Sequence, residues 1–144
     1  MTLRTASITA AIAIAGLPSL AAAAEVDFYA SNDCRGRPAF GYRGEATIRE
    51  SCKWNRARCQ NDVARSVSVT NWTRAFSIFY YDAPDASEHD DHGRIHFRDN
   101  PNPRAGSRMC FRTFERWSQA YHVTQLYQRK DGLDGKVSYV FIRY

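Results

Sequence analysis

The sequence predicts an all-β protein, an antiparallel sandwich or barrel, and three observations point to it. Short alternating or apolar runs recur at intervals of about ten residues with turn-forming residues between them, the usual spacing of a sandwich or barrel. Outside the N-terminal 24 residues no segment carries a clean apolar helical face for two turns. The stretch Asn61-Asp62-Val63-Ala64-Arg65-Ser66-Val67-Ser68-Val69 returns in weakened form as Asp134-Gly135-Lys136-Val137-Ser138-Tyr139-Val140-Phe141-Ile142. Each copy turns at an acidic or amide residue and runs into a strand, which suggests a duplicated β-unit.

In order, the chain opens with an export signal. Arg4 is the only charge among residues 1–24, an apolar run spans Ile8 to Leu17, and Leu20 to Ala24 supplies small residues for cleavage. Residues 1–24 are expected to be removed, leaving one secreted, extracellular domain over 25–144. Gly16 and Pro18 interrupt the apolar run too early for a membrane span, and no later stretch replaces it, so no transmembrane segment is expected.

The first unit covers about 25–71. Val26 to Tyr29 reads as a strand stopped by Ser31-Asn32-Asp33, with further strands at Phe40 to Tyr42 and Ala46 to Ile48. Cys52 to Cys59 reads as a loop or one helical turn. In the strand after Arg65, Val67 and Val69 fall on one face and Ser66, Ser68 and Thr70 on the other, the period-two pattern of a half-buried strand. The second unit covers about 72–144. Phe76 to Tyr81 repeats the leading aromatic strand and runs into the acidic turn Asp82-Ala83-Pro84-Asp85. Strands follow at Ile95 to Phe97, Met109 to Phe114 and Tyr121 to Tyr127, and the turn Lys130 to Gly135 leads to the last. Asn100-Pro101-Asn102-Pro103 must be a loop, since proline cannot donate to a ladder.

Cys34, Cys52, Cys59 and Cys110 all follow the leader, and an even number in an exported chain points to disulfides. Three pairings are possible and sequence does not choose between them. The reading preferred here joins Cys34 to Cys52 within the first unit and Cys59 to Cys110 between units. A zinc site is disfavoured, because the Cys52 to Cys59 spacing is too wide for a knuckle and no paired histidines accompany it. Without Arg4 the chain carries 19 Lys and Arg against 15 Asp and Glu. That excess is mostly arginine and scattered, which favours anionic surfaces weakly and argues against nucleic acid.

Two motifs carry a family resemblance. Phe28-Tyr29-x4-Cys34-x-Gly36 is similar to the aromatic-x4-aromatic-x-Gly hairpin of the βγ-crystallin family, with Cys34 in the second aromatic place. Asn61-Asp62-Val63-Ala64-Arg65-Ser66 resembles that family's calcium sequence of two Asn or Asp, two free positions, Ser or Thr, then Ser. The resemblance implies two Greek-key motifs forming a βγ-crystallin-like antiparallel sandwich. It also implies two adjacent acidic turns, each binding calcium with help from the other motif. Asn61, Asp62, Asp134 and Ser138 are then the candidate metal ligands and calcium the one candidate cofactor. Arg65 departs from the pattern, since a guanidinium offers no lone pair and repels a cation. Gly135 and Tyr139 depart from it in the second copy, so both sites read as degraded.

The acidic run Asp82 to His96 is a second metal candidate. Its His92 and His96 are four apart, a spacing that aligns ligands on a helix rather than on a strand or loop, and a solvated acidic loop is its plainer reading. No Gly-x-Ser-x-Gly, His-Glu-x-x-His or phosphate-binding glycine loop is present, and enzymatic activity is not expected. Nineteen Phe, Tyr and Trp fill the mature chain. Most belong to a core, while Trp54, Trp72 and Trp117 sit among polar residues and could face a glycan, an anionic surface or a protein. Asn71-Trp72-Thr73 is an N-glycosylation acceptor. The expected function is thus a secreted binding or structural module with at most residual calcium affinity. The alternative is a secreted toxin, effector or protease inhibitor, for which Asn100 to Gly106 is the candidate inhibitory loop.

Overall fold

Strand-forming residues pair into two antiparallel sheets in the computed structural model, which describes residues 24–44, 46–100, 108–120, 122–128 and 132–144. The elements are β1 (Glu25–Tyr29), β2 (Phe40–Arg43), β3 (Ile48–Ser51), β4 (Ser66–Thr70), β5 (Phe76–Tyr81), β6 (His92–Phe97), β7 (Arg108–Phe111), β8 (Ser118–Ala120), β9 (Val123–Gln128) and β10 (Tyr139–Arg143). No helix occurs among the described residues. Residues 1–23 of the expected leader lie outside them. No helix among them is long and apolar enough to cross a membrane.

One sheet has the order β2-β1-β4-β7 and the other β3-β10-β5-β6-β9-β8. Most strands of each sheet come from one half of the chain, but one strand of each is exchanged. β3, from the first half, pairs with β10, and β7, from the second, pairs with β4.

Alternating residues of both sheets feed one core. Val26, Phe28, Val67 and Val69 meet Ile78, Ile95, Val140 and Ile142 in a single apolar cluster. Aromatic rings join the layers: Phe114, between β7 and β8, meets Phe28 of β1 at 6.2 Å and Tyr80 of β5 at 4.8 Å, and Phe97 of β6 meets Phe111 of β7 edge-on at 5.7 Å. Trp72 belongs to this core, edge-on to Phe97 at 5.3 Å, with its indole N–H donating to Arg98 O at 3.3 Å.

Three expectations are corrected. The disulfides join Cys34 to Cys110 and Cys52 to Cys59. The exchanged strands explain this: β3 carries Cys52 into the other sheet, away from Cys34, while β7 brings Cys110 beside it. The third strand runs over Ile48–Ser51 rather than Ala46 to Ile48. Its charged residues are accommodated because Arg49 lies over the Phe141 ring at 4.8 Å and Glu50 takes bonds from the following loop. The half-buried pattern of β4 is also overridden, for Ser66 and Ser68 are fully buried. The β1–β2 connection folds over them: Ser66 Oγ donates to Ser31 O at 2.6 Å and accepts from Cys34 N at 3.1 Å.

Candidate functional site

The two repeated turns face each other and are tied by reciprocal backbone bonds. Asp62 N–H donates to Val137 O at 3.2 Å, and Gly135 N–H donates to Ala64 O at 2.8 Å. In both, the second residue of one turn donates to the fourth residue of the other. The fifth residues match as well: Arg65 N–H donates to Tyr29 O and Ser138 N–H to Tyr81 O, each at 2.8 Å. The second position requires left-handed backbone, with φ of 57° at Asp62 and 81° at Gly135. Glycine adopts it freely, whereas a non-glycine residue there costs about 1 kcal/mol.

Because the turns pair crosswise, the fifth residue of each lies beside the second residue of the other. Ser138 Oγ donates to Asp62 Oδ1 at 3.1 Å and lies 3.3 Å from Lys136 O. Asn61 Nδ2 donates to Asp62 Oδ2 at 2.5 Å, and Asn61 Oδ1 is buried with no hydrogen-bond partner among the described residues. A carboxylate and a hydroxyl thus meet beside the Asn61 amide, and oxygens of these kinds suit a hard cation such as calcium. On the other side Arg65 lies over Gly135, where an added β-carbon would sit 3.2 Å from Arg65 Nη2. That side presents a cation and no side-chain oxygen from the second position.

Of the four residues singled out in the sequence, Asn61, Asp62 and Ser138 come together and Asp134 does not. Asp134 Oδ1 accepts from Phe114 N–H at 2.8 Å and Oδ2 from Asn32 Nδ2 at 2.9 Å, so its carboxylate braces neighbouring loops. Glu115, not singled out in the sequence, completes that brace: its Oε1 accepts from Leu133 N–H at 2.7 Å and Asp134 N–H at 2.8 Å. No sequence signal marks Glu115, because its partners are backbone amides 18 and 19 residues away.

The acidic run disperses. His96 Nδ1 is 2.9 Å from Ser77 Oγ, whereas His92 Nδ1 is 3.0 Å from Asp90 O. On β6 the two rings stand four strand rises apart, about 13 Å. Asp91 is fully buried, and its Oδ2 accepts from Tyr127 OH at 3.2 Å and Gly132 N–H at 2.5 Å. Among the described residues no three His, Cys, Asp or Glu side chains converge to hold a metal ion. An ion at the paired turns therefore needs amide, hydroxyl and main-chain oxygens as well.

Trp54 and Trp117 are 75% and 67% exposed, leaving them as the large apolar side chains on the described surface. Lys53 lies over the Trp54 ring at 5.2 Å. The candidate inhibitory loop, beyond Asn100, lies outside the described residues. No family model matches the chain, and neither a curated protein nor a solved structure matches it.

Proposed function

We propose that this chain is an exported, disulfide-bonded module of βγ-crystallin type, built from two Greek-key halves and carrying one calcium site instead of two degraded ones. The contact between Ser138 Oγ and Asp62 Oδ1 carries the reading. It unites the hydroxyl of one turn with the carboxylate of the other, so that both halves contribute to one place. Three features support it: the exchange of β3 and β7 between sheets, the reciprocal bonds of the turns, and the orphaned Asn61 Oδ1 beside the carboxylate. The module acts as an extracellular binding or structural unit, with calcium stiffening the junction of its halves.

The test is the thermal midpoint of the disulfide-bonded protein in EDTA and in millimolar calcium. A ligand that binds the folded state alone adds RT ln(1 + [L]/Kd), about 2.7 kcal/mol at a hundredfold excess over Kd, or several degrees. An unchanged midpoint together with no binding heat would refute the calcium site.

A second reading, a secreted toxin or effector, draws on the exposed Trp54 and its basic neighbours Lys53, Arg56 and Arg58 in the Cys52–Cys59 loop. Membrane engagement by such a loop predicts salt-sensitive binding to anionic vesicles.

A further inference from the structure

The outer edge of β2 forms one wall of an open cleft of about 450 Å³, and the Cys52–Cys59 loop with Gln60 forms the other. Ala39, Phe40, Gly41, Tyr42 and Arg43 all line it. Successive side chains of a strand point to opposite faces, so five consecutive residues can line one cleft only along the backbone edge. No strand among the described residues pairs with that edge, because β2 ends the four-stranded sheet.

The facing wall is rigid. The disulfide closes the loop, Glu50 accepts from Asn55 Nδ2 at 2.7 Å and from Arg58 Nη1 at 3.0 Å, and Gln60 Nε2 donates to Ala39 O at 3.3 Å. The charged residues that line the cleft are all arginines, Arg43, Arg56 and Arg58. Arg56 is exposed and forms no ion pair among the described residues. Arg43 is paired with Glu25 and Asp27, and Arg58 with Glu50, but a guanidinium has five N–H donors and both keep some for another partner.

We propose that this cleft binds an extended acidic peptide segment of a partner protein, added as a strand to β2. Its main chain bonds to the free edge, and its carboxylates meet Arg56 and the remaining N–H groups of Arg43 and Arg58. Free strand edges take peptides in this way, main-chain bonds giving affinity and side-chain contacts specificity. A preformed wall lowers the ordering cost of binding. The site needs no metal and goes beyond the calcium reading.

The experiment is fluorescence anisotropy with the disulfide-bonded protein in EDTA, so that the calcium reading does not enter. The probe is a labelled hexapeptide alternating Glu and Val. Its controls are the Lys-Val counterpart and a Glu-Val peptide with alternate amides N-methylated. Saturable binding of the first peptide alone is expected, weakened about tenfold by Arg56→Glu, the loss of one charge-assisted contact. Arg56 is exposed, so the variant should fold, and the methylated peptide tests the edge without any mutation. Equal binding of the methylated peptide would reduce the cleft to a charged surface and overturn strand addition. Absence of binding, or Arg56-dependent binding of a sulfated saccharide or anionic vesicles in its place, would overturn the peptide assignment.

Discussion

Arg65 lies over Gly135, close enough that a β-carbon on residue 135 would stand 3.2 Å from Arg65 Nη2. Gly135 accommodates both the left-handed backbone of its turn and the guanidinium above it. The two residues that leave this side without side-chain oxygen ligands therefore fit each other. The opposite side keeps Asp62 in a strained conformation, with its carboxylate bonded to Ser138. Strain retained at a residue whose side chain is engaged is a reason to look for a role there.

Ser138→Ala and Asp62→Ala are expected to abolish the calcium-induced rise in thermal midpoint. In EDTA the serine variant should lose only about 1 kcal/mol, the net worth of a hydrogen bond. Differential scanning calorimetry with and without calcium separates the two effects. Loss of stability in EDTA alone, with the calcium shift intact, would place the ion elsewhere.

The blocked side should be recoverable. The double variant Arg65→Ser with Gly135→Asp restores a hydroxyl and a carboxylate, and titration calorimetry should then find two calcium ions per chain instead of one. Gly135→Asp alone should add none, since Arg65 would pair with the new carboxylate. Placing a non-glycine residue at φ 81° should cost about 1 kcal/mol without calcium.

The two disulfides should differ in worth. Cys34–Cys110 spans 76 positions and Cys52–Cys59 spans 7. On chain-entropy grounds their removal costs about 4.5 and about 2.4 kcal/mol, respectively. Denaturant unfolding of the Cys→Ser pairs measures both, and equal losses would mean that local packing, not loop closure, sets their value.

Stability should fall in alkali. Burial raises the Tyr80 hydroxyl well above its usual pKa, and burial, with the Glu50 charge adding to it, raises that of Tyr42. Above about pH 10 these tyrosines ionise in the unfolded chain but hold their protons when folded. The folded state then binds more protons, so stability declines by up to about 1.4 kcal/mol per pH unit for each. Tyr80→Phe should flatten that slope in urea titrations at successive pH values.

Gly93 faces Tyr80 in the register of β5 and β6, and a β-carbon there would lie 2.4 Å from the tyrosine ring. Gly93→Ala should therefore destabilise by about 1–3 kcal/mol, the usual range for overpacking. Near-ultraviolet circular dichroism should show the tyrosine environment disturbed.

The strands were legible where alternation was strong. Phe76–Tyr81 is read with its observed bounds, since it packs aliphatic and aromatic residues on a core. The polar β3 and the three-residue β8 gave little signal because edge strands bury little. The repeated turns were visible as a motif, but reading each copy separately counted a defect in both. Only the crosswise bonds between the turns show that Asp62 meets Ser138 while Arg65 meets Gly135. The cysteine pairing is set by the fold: Cys52 bonds to its nearest neighbour Cys59, and strand exchange places Cys110 of β7 beside Cys34.

The last strand lies between β3 and β5, and β3 has no other neighbour in its sheet. Strand β3 therefore cannot dock until β10 has been made. A product truncated ahead of Tyr139 would leave two raw strand edges, on Ile48–Ser51 and Phe76–Tyr81, open to pairing with other molecules. Protection of both edges thus waits on one event, the arrival of Tyr139–Arg143.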